Sequence, residues 1–219
     1  MIYTVFINLD ERVDRFNLFT ETISPYLKIF GTCHRQSGIK FPLYPPVGCL
    51  KAHILALTNF LCYSDDPYIA IFEDDFKFTS NPDKINDWIN VKSINGQLWD
   101  VIMLHGTYAI HHAEVIDDLV KIIECQSAAG YIVRRDYVSK LISCLSKNLT
   151  VFEKLASINH INKKRIIDCM CNDQSWKELQ RLDNWFLAIP NIGCQRPSYS
   201  NLEMCHVDYG DKNLNYLIV

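Results

Sequence analysis

The sequence has no Cys-x-x-Cys pair, no glycine-rich loop, no basic excess and no long apolar run, and each absence closes a class of function. Its nine cysteines are odd in number and irregularly spaced, whereas a zinc ribbon needs paired thiolates at short spacing. Its eight glycines are scattered singly, so no loop is present that would cradle phosphates in the manner of a nucleotide-hydrolysing P-loop. The formal net charge is −3, and the basic pieces Arg134-Arg135 and Lys163-Lys164-Arg165 are too short to form a nucleic-acid-binding face. No apolar stretch approaches the roughly 20 residues of a membrane span. Met1 to Leu9 lacks a basic leader and a small-residue cleavage site, so no signal peptide is expected. Several cysteines sit inside apolar runs, such as Phe60-Leu61-Cys62 and Leu141 to Leu145, where a free thiol behaves as a small hydrophobe. That usage suits a reducing compartment, and the expected location is the cytoplasm.

What is present is the composition of an ordinary globular chain. The 219 residues are 48% hydrophobic, enough for one domain with a sizeable core. Ile2 to Leu9 (IYTVFINL) has the β-branched and aromatic density of a strand buried on both faces. A helix is expected from Asp10 to about Thr22, and a second strand from Leu27 to Cys33. Pro42, Pro45 and Pro46 make Gly38 to Pro46 a loop. Leu50, Ile54, Leu57 and Leu61 recur at helical steps within a helix from Val47 to Cys62. Tyr68 to Phe72, Trp99 to Leu104 and Ala128 to Val133 read as strands, and Asn81-Pro82-Asp83 opens a helix. Val115 to Cys125 is ambiguous between helix and strand. A helix from Asp136 to about Lys147 follows, then two short helices and a strand from Trp185 to Ile189. The tail from Pro197 carries turns and no long element. Strands alternating with helices predict a single α/β, Rossmann-like domain, with a mostly parallel central sheet flanked by helices.

The most informative segment is Tyr68 to Phe76 (YIAIFEDDF), an apolar strand running into three consecutive carboxylates. Like charges this close resist simultaneous ionisation unless a cation or solvent relieves them. In an open α/β sheet, ligands collect beyond the carboxyl ends of strands. In extended backbone Glu73 and Asp75 would share a side and could face one pocket. Hard oxygen ligands suit Mn²⁺ or Mg²⁺, which bridges nucleotide phosphates. The competing reading is a solvated acidic turn.

Several pieces in order resemble glycosyltransferase family 25, the lipopolysaccharide-modifying and collagen galactosyltransferases. They are Ile7-Asn8-Leu9 with Arg12 and Arg15, Gly48-Cys49-Leu50-Lys51-Ala52-His53, Glu73-Asp74-Asp75, and Gly130-Tyr131-Ile132-Val133. Asp173-Gln174-Ser175-Trp176, Pro190 to Gln195, and Ser198 to Glu203 complete the set, in the form associated with large-virus members. Ala52 stands where the family has Ser, and Asn201 where it usually has Asp. The resemblance covers residues 2 to 203. It implies a GT-A-like fold, a nucleotide-sugar donor (usually a UDP-sugar), a divalent metal and inversion at the anomeric carbon. For a viral chain the expected cytoplasm is that of the host.

On that resemblance, residues 1 to about 110 form the nucleotide-sugar half, 111 to 205 the acceptor half, and 206 to 219 a tail. Asp75 is the first expected metal ligand, with Glu73 and His206 as further ligands, the latter equally readable as a surface residue. Glu73 and Asp74 either ligate or contact the ribose. Arg12 and Arg15 meet the diphosphate, unless they pair with Asp10, Glu11 or Asp14, and Asn8 and Leu9 flank the base. His53 faces the pocket or forms part of the core. Asp173 is the expected catalytic base or else a helix cap, with Asp168 a weaker substitute. Trp176 offers an apolar face to the acceptor sugar, and Gln195 lies on the acceptor side. The partners are thus a nucleotide-sugar donor and a glycan or protein acceptor, without nucleic acid or a membrane span. The alternatives are a catalytically degenerate nucleotide-sugar-binding protein of the same fold, a metal-dependent phosphohydrolase or nucleotidyltransferase, and a structural protein with no site. The second of these would need a phosphate loop or a second acidic cluster.

Overall fold

A computed structural model of the chain describes residues 1–41, 44–90, 94, 96–156, 171–200, 205–208 and 216–218. Pro42, Lys163, Lys164, Arg165, Asp168, Cys169, Asn201, Leu202 and Glu203 lie outside them. Strand β1 (Ile2–Asn8) is buried on both faces, as its composition requires. Val5 and Ile7 enter one core, and Ile2 and Phe6 the other. The same alternation recurs in β3 (Tyr68–Glu73), where Ile69 and Ile71 oppose Ala70 and Phe72.

Helix α1 (Val13–Ile23) buries Phe19 and Ile23 on the second face. The expected strand at Leu27 to Cys33 is instead a short helix, α2 (Leu27–Phe30), followed by β2 (Cys33–Ser37). The apolar residues that suggested a strand, Ile29 and Phe30, are spent docking the helix. The true strand lies at the sheet edge, is half exposed and reads CHRQS, so it carries little apolar signal. Helix α3 (Pro45–Tyr63) starts two residues earlier than expected, with proline in the first turn. Gly48 serves a close approach inside that helix and not its entry: a Cβ there would lie 1.9 Å from the Ile39 carbonyl oxygen.

The chain continues through β4 (Phe76–Phe78), which pairs outside the central sheet with β10, then α4 (Lys84–Asn90), β5 (Val101–Met103), β6 (Thr107–Ile116) and β7 (Leu119–Gln126). The ambiguous segment at Val115 to Cys125 is therefore a hairpin. Asp117 and Asp118 have φ of 51° and 62° at its turn, the paired left-handed conformation of a tight two-residue connection. Then come β8 (Gly130–Arg134), α5 (Arg135–Ala156), α6 (Asn172–Ser175), α7 (Lys177–Leu182), β9 (Trp185–Ala188) and β10 (Gly193–Gln195). The tail forms β11 (Ser198–Ser200), β12 (Cys205–Val207) and β13 (Tyr216–Ile218).

Among the described residues nine strands make the central sheet, in the order β13-β6-β7-β9-β5-β8-β3-β1-β2. The chain is α/β, with helices packed on a large central sheet. Pairing is parallel for β2-β1-β3, β5-β9 and β13-β6, and antiparallel where β8 and β7 are inserted. Because β1 is flanked by β2 on one side and β3 on the other, the chain reverses direction of travel across the sheet at β1 and β3. Their carboxyl ends are thus the topological switch point of the sheet, the position where α/β sheets hold ligands. No helix among the described residues is long and apolar enough to cross a membrane.

Candidate functional site

The carboxyl ends of β1 and β3 bring Asn8 beside the acidic turn. Asn8 Nδ2 donates to Asp74 Oδ2 at 2.7 Å and to the Arg12 carbonyl at 3.0 Å. Its Oδ1 accepts from Arg35 Nε at 3.0 Å, so the buried amide is fully used in bridging the two strands. The turn itself is anchored by Phe76, which is fully buried. A Cβ on Gly193 would stand 2.1 Å from the Phe76 ring, so β10 can lie against β4 only with glycine there.

Residues 74 and 75 form a turn, so Glu73 and Asp75 do not share a side as extended backbone would have them. Glu73 Oε1 faces α3, 3.4 Å from His53 Nε2 and 3.6 Å from Cys49 Sγ. Asp74 and Asp75 instead share Arg15 on α1, at 2.8 Å and 3.3 Å. Burial and the neighbouring Glu73 charge push the Asp75 carboxyl up to about 7, against the pull of Arg15. Burial also raises Asp74 in spite of Arg15 and Asn8. Burial acts on Glu73 too, but His53, Cys49 and Arg15 together hold it below its ordinary value. Asp75 Oδ1 is buried and has no hydrogen-bond partner. An orphaned carboxylate oxygen beside two other carboxyls is what a hard divalent cation would satisfy, so these residues fit such a group.

Arg15 also closes the site from the C-terminal side, donating to Ser198 Oγ at 2.5 Å and the Tyr199 carbonyl at 3.0 Å. Arg12 takes the surface alternative: its guanidinium forks onto Asp14 at 2.8 and 2.9 Å, with a long 3.5 Å contact to the Tyr199 carbonyl. Gln195 stands at the acidic cluster: the amide of its neighbour Arg196 donates to the Asp75 carbonyl at 2.7 Å. Leu9, half-buried, packs at Gly38. His53 is fully buried, with Nδ1 2.8 Å from the Tyr131 hydroxyl.

Asp173 lies in the first turn of α6, where Cys171 occupies the cap position and makes no side-chain capping hydrogen bond. Asp173 is therefore not a cap. Its Oδ2 accepts from the Ser127 amide at 3.1 Å, and burial and the Glu73 charge raise its carboxyl. Ser127 Oγ in turn meets buried His105 Nδ1 at 2.8 Å, carrying the polar chain to the end of β5. Trp176 does not offer a sugar a face. It is 0% exposed, packed on Tyr131 and Trp185 with ring centroids 5.1 and 5.3 Å apart. It belongs to the core cluster that also holds Leu141, Leu145 and Leu187. His206 is exposed on β12, its ring 5.6 Å from Tyr199, and is not gathered with Asp75.

The residues that sequence reasoning missed are Arg35, Tyr131 as a partner of His53, Ser127 and His105. Of these only Tyr131 lay in a quoted motif; the others are brought in by strand pairing and carry no local signal.

The sequence matches no protein-family model and no curated protein. Among solved structures, the chain is similar to a glycosyltransferase involved in glycosylation of the major capsid of PBCV-1. Identity is 10% and the TM-score 0.45, over 93% of this chain and 96% of that one. It is also similar to a mutant Drosophila galactosyltransferase in complex with manganese, UDP-Gal and xylobiose, at 14% identity and TM-score 0.37, over 64% and 51% of the two chains. A UDP-glucose pyrophosphorylase complexed with UDP-glucose gives 11% and 0.41, over 85% and 72%. Likeness at this level is one of general layout, and no residue role is transferred from it.

Proposed function

We propose that the chain is a metal-dependent hexosyltransferase, moving a hexose from a UDP-sugar to an acceptor hydroxyl with inversion. The observation that carries this reading is Asp75: a buried carboxylate with one orphaned oxygen, beyond the carboxyl end of β3 at the switch point between β1 and β3, where nucleotides bind in such sheets. The ordered resemblance of residues 2 to 203 to glycosyltransferase family 25 supports the choice of chemistry. Residues 1 to about 110 supply the donor half, 111 to 205 the acceptor half, and the tail from 206 adds the closing strands.

Asp75 is the residue that holds Mn²⁺ or Mg²⁺, which when bound neutralises charge developing on the departing diphosphate. Glu73 contributes charge beside it, with its Oε1 turned toward His53. Asn8 and Asp74 hold the carboxyl ends of β1 and β3 in register, with Leu9 beside them for the base. Arg15 stands between the two aspartates in place of a cation and is positioned to turn to the phosphates when they are relieved. Asp173 takes the proton of the acceptor hydroxyl. Its raised carboxyl makes it a stronger base than a solvated aspartate, and the Ser127 amide fixes its orientation. Gln195, on β10 beside the acidic turn, faces the acceptor side.

The test is a thermal-shift titration with a panel of nucleotide sugars, with and without Mn²⁺, followed by UDP release in the presence of acceptors. A metal-dependent shift for one UDP-sugar is expected, because a ligand that binds only the folded state raises its stability by mass action. No shift with any donor would overturn the proposal.

A further inference from the structure

The inner face of the acidic turn holds a second cluster, in which Glu73 meets two residues, Cys49 and His53, that the transferase reading gives no role. Cys49 and His53 lie four residues apart on α3, hence on one side of the helix, and both point at Glu73 at the end of β3. The ligand atoms of the three residues lie within 4.8 Å of one another.

The distances accommodate a shared cation as well as a thiol hydrogen bond from Cys49 to Glu73. An ordinary N–H···O bond spans about 2.7–3.2 Å, and the His53–Tyr131 contact, at 2.8 Å, is one. The His53 Nε2–Glu73 Oε1 separation of 3.4 Å is too long for a good one. Around a tetrahedral zinc, with metal–sulfur near 2.3 Å and metal–nitrogen or –oxygen near 2.0–2.1 Å, the nitrogen–oxygen edge is about 3.3 Å and the sulfur–oxygen edge about 3.6 Å. The observed edges are 3.4 Å and, for Cys49 Sγ to Glu73 Oε1, 3.6 Å.

The surroundings fit a metal site as well. His53 Nδ1 is held by the Tyr131 hydroxyl, the kind of outer partner that fixes a ligating imidazole's tautomer and orientation. Asn172 Nδ2 donates to Cys49 Sγ at 3.6 Å, treating the sulfur as an acceptor. Asn172 is 4% exposed, and its own Oδ1 is buried without a partner, so an acceptor is left over beside the sulfur.

We infer that Cys49, His53 and Glu73 bind a thiophilic divalent cation, Zn²⁺ in preference to Mn²⁺ or Mg²⁺, at a site separate from the donor's cation. The sulfur and imidazole ligands set the preference, since oxygen-seeking ions gain little from a thiolate. The site ties α3 to the end of β3 and, through Asn172, to α6. It stands whether or not the chain transfers a hexose.

Cobalt reports the site directly, because a Co²⁺–thiolate bond gives a sulfur-to-metal charge-transfer band. Chelator-treated protein with Cys62 and Cys205 changed to Ser, which removes the exposed thiols among the described residues, is titrated with Co²⁺ and then with Zn²⁺. One equivalent of Co²⁺ should develop the band and Zn²⁺ should bleach it. Cys49→Ser should abolish the band, and Tyr131→Phe should weaken affinity about tenfold, as loss of an outer partner does. Asp75→Asn should leave the band unchanged, which separates this site from failure of the donor-site reading. Circular dichroism verifies that each variant is folded, and the half-buried Cys49 is the substitution least exposed to that risk. Absence of the band in the parent protein, or its persistence in Cys49→Ser, would overturn the inference.

Discussion

The two sides of one acidic turn behave as different materials. On the inner side, Glu73 meets His53 and Cys49, and its carboxyl is held below its ordinary value although burial opposes this. On the outer side, Asp75 has only half of an arginine and an orphaned oxygen, and its carboxyl rises to about 7. Asp74, between them, is buried but satisfied by Asn8 and Arg15. Three adjacent residues of nearly the same chemistry are thus sorted by the elements they face: α3 for the first, β1 and α1 for the second, α1 and β10 for the third. The turn at residues 74 and 75 does the sorting, by swinging Asp75 away from the side that Glu73 occupies. Pairs of carboxyls driven apart in this way are where distinct roles are to be sought.

The comparison breaks most severely at Arg15. Arg15→Ala strands Asp74 and Asp75 without a counter-ion in a buried turn, and a loss of about 3–5 kcal/mol is expected in urea denaturation, the usual cost of an unpaired buried charge. A loss below about 1 kcal/mol would mean that solvent already screens the outer side.

The second way to sharpen it is pH. Asp75 has an ordinary value of 3.8 and titrates near 7 in the fold. Between those values the folded chain keeps a proton that the unfolded chain has released, so this group's contribution to stability falls as pH rises through the window. Asp74 and Asp173, also raised, act in the same direction, while Glu73, lowered, opposes them. Asp75→Asn should therefore flatten the fall and leave the cation-free protein more stable than the parent above pH 7, on the order of a few kcal/mol. Parallel pH profiles of the two proteins would contradict it.

Smaller effects test the individual contacts. Asn8→Ala removes a buried hydrogen bond to a carboxylate and should cost about 2 kcal/mol. Tyr131→Phe removes only the hydroxyl that meets His53 and should cost about 1 kcal/mol by chemical denaturation of the metal-free protein.

The strands that build the site were legible because burial on both faces demands runs such as IYTVFIN and YIAIFE, which few other structures use. Glu73, Asp74 and Asp75 stood out for the opposite reason, as charge placed where apolar sequence had just ended. The edge strand Cys33–Ser37 was not legible, since half of it faces water and nothing apolar marks it. The Asp117-Asp118 turn was missed because its left-handed residues are aspartates and not the usual asparagine and glycine. Trp176 misled in a different way. A large ring next to a candidate base suggests a sugar platform, but the same ring fills a core beside Trp185, and only packing tells these apart. Arg35, Ser127 and His105 reach the site by strand register over long separations, which no local pattern encodes.

Calorimetric titration of a UDP-sugar into the parent protein and Asp75→Asn, each with and without Mn²⁺, tests the central claim most directly. Binding that requires Mn²⁺ in the parent and is lost in Asp75→Asn, with the fold intact, is the predicted result. Metal-dependent binding retained in Asp75→Asn would contradict the assignment of the outer carboxylate as the cation's ligand.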